Sequence, residues 1–154
     1  VRMMRTILGL VLVLAVASFG FGQSDCLFKE YDLQDLASIL EREGYGSIEQ
    51  TSEQSLKFMV EGAPYLLILM EDGDLQMFCG IGGARLVHED INEWNLNSRL
   101  SEAAIDAEGD PVLTSDLLAT AGINEEIVKS FVGYFVHNFG PKFRDFVAER
   151  NRAR

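Results

Sequence analysis

The sequence predicts an α+β fold, a two-layer sandwich in which helices pack against one antiparallel sheet. Three observations lead to this class. Segments with helical spacing of apolar residues alternate with groups of strand-like runs, in the order α-β-β-β-α-β-β-α. Tight turns connect the strand-like runs, so neighbouring strands should be antiparallel. The 154 residues, 47% of them hydrophobic, suit one domain, which we assign to residues 30–149.

The first half of the domain predicts a helix and three strands. The helix spans residues 32–43, with Asp32 as its N-cap and Gly44 as its stop. Three strand-like runs follow, SLKFMVEG, PYLLILMEDG and DLQMFCGIGG. The middle run is almost entirely apolar, which predicts a central strand covered on both faces. Asp72-Gly73 is a hairpin signal, so the three runs should form an antiparallel meander.

The second half predicts a helix, two strands and a final helix. His88 begins the first of these helices, which has an acidic first turn and ends near Arg99. The two strands flank Gly109, which supplies the turn between them. Asn124 caps the last helix. Gly140-Pro141 should interrupt that helix, with Pro141 opening a second helical segment.

The N-terminus predicts a secretory signal peptide, assigned to residues 1–22. Arg2 and Arg5 give a positive start, and an apolar run over residues 7–19 precedes small residues. Cleavage is expected before Ser18 or before Gln23. The run is shorter than the about 20 apolar residues that span a bilayer; an uncleaved N-terminal anchor is the open alternative. The mature protein should therefore be periplasmic or secreted.

Cys26 and Cys79 are the two cysteines of the chain, and they form a candidate disulfide in an oxidising compartment. The alternative leaves both thiols unpaired, with Cys79 as a small apolar strand residue. The spacing does not decide between these alternatives, because a disulfide requires its two Cα atoms to lie close together.

The sequence contains no pattern that predicts catalysis, a cofactor or a metal site. The HED run at 88–90 places its donors side by side rather than on one helix face. The acidic clusters fall at predicted turns, and GIGG at 80–83 is not directly followed by a helix, as a phosphate loop would be. The formal net charge of −11 disfavours nucleic acid and anionic lipid as partners. We therefore expect a protein that is not an enzyme.

The segment INEWNLNSRL is unusual because three asparagines surround the single tryptophan. One interpretation makes Asn92, Trp94 and Asn95 a polar-aromatic recognition site. The favoured interpretation is structural: Trp94 anchors the core, and the Asn95 amide bonds to backbone where helix meets sheet. Gly109 and Gly122 are also expected to be structural, at a turn and ahead of the last helix respectively.

Five phenylalanines follow one face of the C-terminal helical region, at spacings of four, four, four and three residues. They are Phe131, Phe135, Phe139, Phe143 and Phe146. Either all five fill the core, or the last ones exceed what one sheet face can cover and form an exposed patch. We take Phe139, Phe143 and Phe146 as candidate partner-binding residues, for a peptide or a second copy of the chain.

Residues 91–136 resemble the YbjN-like family, described as bacterial sensory-transduction regulators, and the resemblance extends more loosely over about residues 30–148. It is carried by the NEWNxxxR helix, the turn at residues 106–110 and FRDF near the end of the chain. The matching residues are Asn92, Trp94, Asn95, Arg99, Asp106, Glu108, Gly109, Asp110, Asp116, Leu117, Gly122, Phe143 and Phe146. The resemblance implies a fold similar to type III secretion chaperones, a class that binds protein segments and often dimerises, and it implies no enzyme activity.

These features predict an exported, non-enzymatic domain that binds protein, in a chaperone-like or regulatory role. Capture should occur in an apolar groove with an acidic rim that rejects acidic competitors. The expected partner is a protein or peptide, and a homodimer is left open. A small-ligand sensor, with a pocket between helices and sheet, is the competing function. We expect no nucleic acid, no cofactor and no membrane contact beyond the signal segment.

Overall fold

A computed structural model describes residues 30–153. The predicted signal peptide at residues 1–22 and Cys26 lie outside the described residues. The helices are α1 (Leu33–Arg42), α2 (His88–Asn97), α3 (Glu125–Tyr134) and α4 (Gly140–Arg152), and a π-helical turn (Phe135–Phe139) joins the last two. The strands are β1 (Gly46–Ser52), β2 (Ser55–Val60), β3 (Ala63–Leu69), β4 (Leu75–Gly80), β5 (Glu102–Ile105) and β6 (Pro111–Leu117). None of the helices within residues 30–153 has the length and apolar composition needed to cross a membrane.

The predicted α+β class is confirmed, including the antiparallel meander of β2, β3 and β4. The described strands form one antiparallel sheet in the order β1-β2-β3-β4-β6-β5. The core lies between this sheet and the helices: α1 contacts β1 and β2, α4 contacts β6, and α2 contacts β5. The predicted elements thus occur in the expected order, with β1 as an addition.

The strand β1 was not predicted because its residues carry no strand pattern. It lies at one edge of the sheet, and all of its residues except Ile48 are exposed. Its register with β2 shifts twice, between Gly46 and Glu49 and between Gln50 and Ser52. Pairing with β2, rather than burial of apolar side chains, therefore holds this polar segment in extended form.

The prediction that β3 is covered on both faces is not met within the described residues. Tyr65 and Leu67 point into the core and are buried, whereas Leu66 and Ile68 are only half-buried on the opposite face. The physical reason is that the helices of residues 30–153 pack on the core side of this strand. The apolar run of β3 therefore gives the sheet a partly exposed apolar outer face.

The predicted N-caps of α1 and α3 are confirmed. The Asp35 N–H donates to Asp32 Oδ1 at 2.8 Å, and the Ile127 N–H donates to Asn124 Oδ1 at 2.9 Å. Gly44, with φ +82°, follows the end of α1 in the left-handed conformation that glycine adopts without strain.

A second helical segment, α4, begins at Gly140-Pro141 as expected, but the chain stays helical there because a π turn joins it to α3. In the π turn the Gly140 N–H donates to the carbonyl of Phe135, five residues earlier. Pro141 has no N–H to donate, and it lies in the first turn of α4, where the wider preceding turn accommodates its ring. One continuous surface therefore runs from α3 through the π turn into α4.

Candidate functional site

An open groove lies between α3 and the core side of β6, and its apolar part has a volume of about 590 Å³. On α3, Ile127, Phe131 and Tyr134 recur at helical spacing and line one wall. Phe139 from the π turn and Leu117 from β6 also line it. The remaining lining residues are Leu100, Ser115, Asp116, Asn124, Glu126 and Ser130. An apolar groove of this size is suited to receiving apolar groups from a partner.

Leu100 is held out into this groove by an unfavourable backbone conformation. Its φ is +60°, in the left-handed region, and its side chain is 74% exposed. The hydroxyl of the buried Ser115 donates to the Leu100 carbonyl at 2.6 Å and fixes the loop between α2 and β5. A left-handed conformation costs a non-glycine residue about 1–3 kcal/mol, and such strain clusters at functional sites.

Two aromatic residues, Tyr134 and Phe139, lie at the two ends of the π turn. They pack edge to face with centroids 4.9 Å apart, yet Tyr134 remains 52% exposed. Both rings line the groove, Tyr134 from the last position of α3 and Phe139 from the last position of the π turn. Single π turns occur frequently at functional sites.

The charge of the groove differs between its ends, so the expected acidic rim is only partly correct. Leu100, Tyr134 and Phe139 also line an adjoining pocket of about 410 Å³, to which Arg99 and Lys142 belong. The remaining residues of that pocket are Trp94, Asn97 and Ser98. Glu126 lines the first cavity and not the adjoining pocket, and it pairs with Lys129 at 3.2 Å. The Asp116 carboxylate instead accepts from Gln76 Nε2 at 2.8 Å. The rim is therefore basic at one end and acidic at the other.

Phe139, Phe143 and Phe146 do not form the exposed patch that was expected. Phe143 is fully buried, with its ring 5.0 Å from that of Trp94. Phe146 is half-buried between Trp94, at 5.5 Å, and the guanidinium of Arg150, at 5.0 Å. These two rings are not exposed because Trp94 of α2 packs against both of them on α4. Of the three, Phe139 alone lines the groove.

Asn95 joins α2 to the edge of the sheet. Its Nδ2 donates to the carbonyl of Ala103 at 3.1 Å, and the Ala103 N–H donates to its Oδ1 at 2.8 Å. The side-chain amide thus takes the position that a peptide group of a further strand would occupy beside β5. The Asn95 residue itself is exposed, whereas Trp94 is buried. Asn92 is exposed and makes no side-chain hydrogen bond within residues 30–153.

Gly109 and Gly122, the two glycines expected to be structural, both adopt left-handed backbone. Their φ angles are +83° and +80°. Gly109 donates to Asp106 in the turn between β5 and β6, and Gly122 donates to Ala119 ahead of α3. A side chain at either position would strain the turn.

Replacing Asn95 with alanine should lower the free energy of unfolding by about 1–2 kcal/mol, because it leaves both polar groups of Ala103 without a protein partner. The matched control is Asn92→Ala, on the same helix, which should change stability by less than about 0.5 kcal/mol. Urea denaturation of the two variants measures the difference. Equal effects would show that the Asn95–Ala103 pair contributes nothing specific.

The histidines and the described cysteine, Cys79, lie away from the groove. His88 and His137, the two histidines of the chain, do not line it. Burial raises the pKa of the Cys79 thiol to about 11, so this thiol stays protonated at neutral pH. The acidic turns bond to backbone: the Ala119 N–H donates to Asp74 Oδ1 at 2.6 Å, and the Asp110 N–H donates to Asp106 Oδ1 at 2.8 Å. Residues 30–153 contain no group of three His, Cys, Asp or Glu side chains able to hold a metal ion.

Comparisons with known proteins identify the family. Residues 32–146 match YbjN, described as "Putative bacterial sensory transduction regulator". The crystal structure of YbjN from E. coli is similar, with a TM-score of 0.59 and 18% identity, over 82% of this chain and 96% of that chain. At 18% identity, this similarity shows that the two proteins share a fold.

Another solved structure with some similarity is the Yersinia pestis type III secretion chaperone SycH in complex with a stable fragment of YscM2. Its TM-score is 0.48 and its identity 16%, over 69% of this chain and 92% of that chain. The curated proteins give no significant match. Because the family match spans nearly the whole of the domain, the chain belongs to the YbjN family.

Proposed function

We propose that the chain is a non-enzymatic protein-binding domain whose groove holds an extended apolar segment of a partner protein. The observation that carries this proposal is the exposure of Leu100 and Tyr134 beside a groove of about 590 Å³. Covering such side chains removes apolar surface from water, which favours association. A regulatory role through a bound partner also agrees with the description of the family.

The edge of β6 favours an extended peptide as the occupant. The pairing of β5 with β6 ends at Thr114, so residues 115–117 have a strand partner only on the side of β4. A peptide lying in the groove would pass beside this edge, where strand addition supplies backbone hydrogen bonds. An open groove also lets a longer chain enter and leave at its two ends.

A small apolar ligand is the second candidate occupant. The groove volume of about 590 Å³ falls within the range of about 300–1,000 Å³ that is usual for small-molecule sites. This function would make the domain a ligand sensor rather than a protein-binding module.

Replacing Leu100 with alanine should weaken peptide binding about tenfold, because a central apolar contact of the groove is lost. The probe is a fluorescein-labelled peptide in which leucine and phenylalanine alternate with glutamine, and the readout is fluorescence anisotropy. Leu118→Ala is the matched control, since Leu118 is 79% exposed and lies outside the groove. Equal losses in both variants would contradict the groove as the binding site. Thermal stabilisation by small apolar compounds without any peptide binding would favour the ligand sensor.

We also propose that the domain acts outside the cytoplasm after removal of its N-terminal signal peptide. This proposal is supported by the arginines at positions 2 and 5 and by the apolar run that follows them. N-terminal sequencing of protein from the periplasm or the medium should find the chain beginning at Ser18 or Gln23. An exported protein that retains Met3 would show that the segment is not cleaved.

A further inference from the structure

We infer that the partner segment carries an acidic end, which binds at Arg99 and Lys142 while its apolar residues occupy the groove. This inference rests on the proposed function and specifies the chemistry of the partner. It follows from the distribution of charge around the two adjoining cavities.

Arg99 and Lys142 are exposed cations that line the same pocket at one end of the groove. Neither makes an ion pair within residues 30–153, although acidic residues outnumber basic ones by 24 to 13 in the chain. Among the other cations of residues 30–153, four are paired with carboxylates, namely Arg42, Arg85, Lys129 and Arg150, whereas Lys57, Arg144 and Arg152 line neither cavity of the groove and have no such pair. Two unpaired cations beside an apolar groove thus give an acidic protein a local site for an anion.

The surroundings of the two cations provide further hydrogen-bond donors. Asn97, Ser98 and the phenol of Tyr134 belong to the same pocket. Arg99 follows the C-terminus of α2, where a cation interacts favourably with the helix dipole. That interaction does not account for Lys142, which comes from α4 on the other side of the pocket. The convergence of two helices on one basic pocket favours recognition of an anion.

The opposite end of the groove determines the direction of the bound segment. Glu126 lines that end, in the first turn of α3, and its carboxylate would repel an acidic group. The acidic end of the segment therefore lies at Arg99 and Lys142, and the apolar residues lie along Leu100, Tyr134 and the α3 wall.

The test compares three labelled peptides that share one apolar segment and differ at one end, which carries two glutamates, two glutamines or two lysines. Two exposed ion pairs should give the glutamate peptide about tenfold higher affinity than the glutamine peptide. The lysine peptide should bind more weakly than both. Added salt should reduce this preference, because it screens exposed charges.

The double variant Arg99→Gln/Lys142→Gln should bind the glutamate and glutamine peptides with equal affinity, so that the preference for glutamate is lost. The charge-matched control is Lys57→Gln/Arg152→Gln, whose sites lie on the outer face of the sheet and at the end of α4, outside both cavities. This control should retain the preference. If the double variant does not fold, Lys142→Gln alone should reduce the preference severalfold.

The outcomes separate the two proposals. Equal binding of the glutamate and glutamine peptides by the wild-type protein would overturn the acidic end and leave the groove as a binding site. Loss of the preference in the control variant as well would also overturn it, because overall charge would then be responsible. Absence of binding by every peptide would overturn the proposed function, and the acidic end with it.

Discussion

Replacing Phe143 with alanine should lower the free energy of unfolding by about 3–5 kcal/mol, the largest effect that we expect from a single substitution in this chain. The ring is fully buried and packs edge to face against Trp94 at the contact between α2 and α4. Its removal leaves a cavity that the surrounding helices cannot fill without losing other contacts. Urea denaturation, with the same slope for variant and wild type, measures this loss.

Phe139→Ala is the matched control for Phe143→Ala, because it truncates the same side chain at the groove. It should destabilise by only about 1–2 kcal/mol, since part of the Phe139 ring already contacts water. Unlike Phe143→Ala, it should directly weaken peptide binding. If Phe143→Ala does not fold, Phe143→Leu should fold with a loss of about 1.5 kcal/mol. A larger loss for Phe139→Ala than for the Phe143 variants would contradict the packing described here.

Replacing Gly140 with alanine should destabilise the protein by about 2 kcal/mol, although alanine favours helix over glycine by about 1 kcal/mol. A Cβ at this position would lie 2.6 Å from Tyr65 Oη and 2.8 Å from Tyr65 Cε1. The Tyr65 ring is buried between Phe58 and Phe135, with centroids 6.1 and 6.0 Å away. The Tyr65 ring cannot move away easily, because any displacement of it would also displace Phe58 and Phe135.

The hydroxyl of Tyr65 is fixed as firmly as the ring. It donates to the Val136 carbonyl at 3.3 Å and accepts from Arg144 Nη1 at 2.6 Å. Gly133→Ala is the matched control in α3, where the nearest atom to the new Cβ, Tyr45 Oη, lies 3.9 Å away. This variant should gain about 0.5–1 kcal/mol from helix propensity. Stability changes of the same sign in both variants, measured by thermal unfolding, would contradict the close approach of α4 to β3.

Local patterns accounted for most of the fold. Asp32 and Asn124 have the residue type and spacing of N-caps, and both make the expected bonds. The strand β1 escaped prediction because its stability depends on a partner strand, and pairing is not visible in a polar sequence. The π turn before Pro141 was not predicted either, because Gly-Pro indicates an interruption of a helix without specifying the kind of turn.

The candidate site was only partly accessible to sequence reasoning. Phe139, one of the candidate partner-binding residues, lines the groove, and the spacing of Ile127, Phe131 and Tyr134 could have indicated the α3 wall. Phe143 was assigned wrongly because its burial depends on Trp94, which a different helix supplies. The exposure of Leu100 was not predictable, because the buried hydroxyl of Ser115 from β6 fixes that loop. Contacts between residues distant in sequence thus decided which apolar side chains remain open.

The central claim is that a partner segment binds in the groove between α3 and β6. Backbone amide chemical-shift mapping tests this claim most directly. The ¹⁵N-labelled protein would be titrated with the glutamate-ended peptide described above. We predict that the largest shifts occur at Leu100, Leu117, Ile127, Phe131 and Tyr134, which line the groove. Shifts centred instead on the half-buried Leu66 and Phe78 of the outer sheet face would contradict the claim and place the binding surface on the opposite side of the sheet.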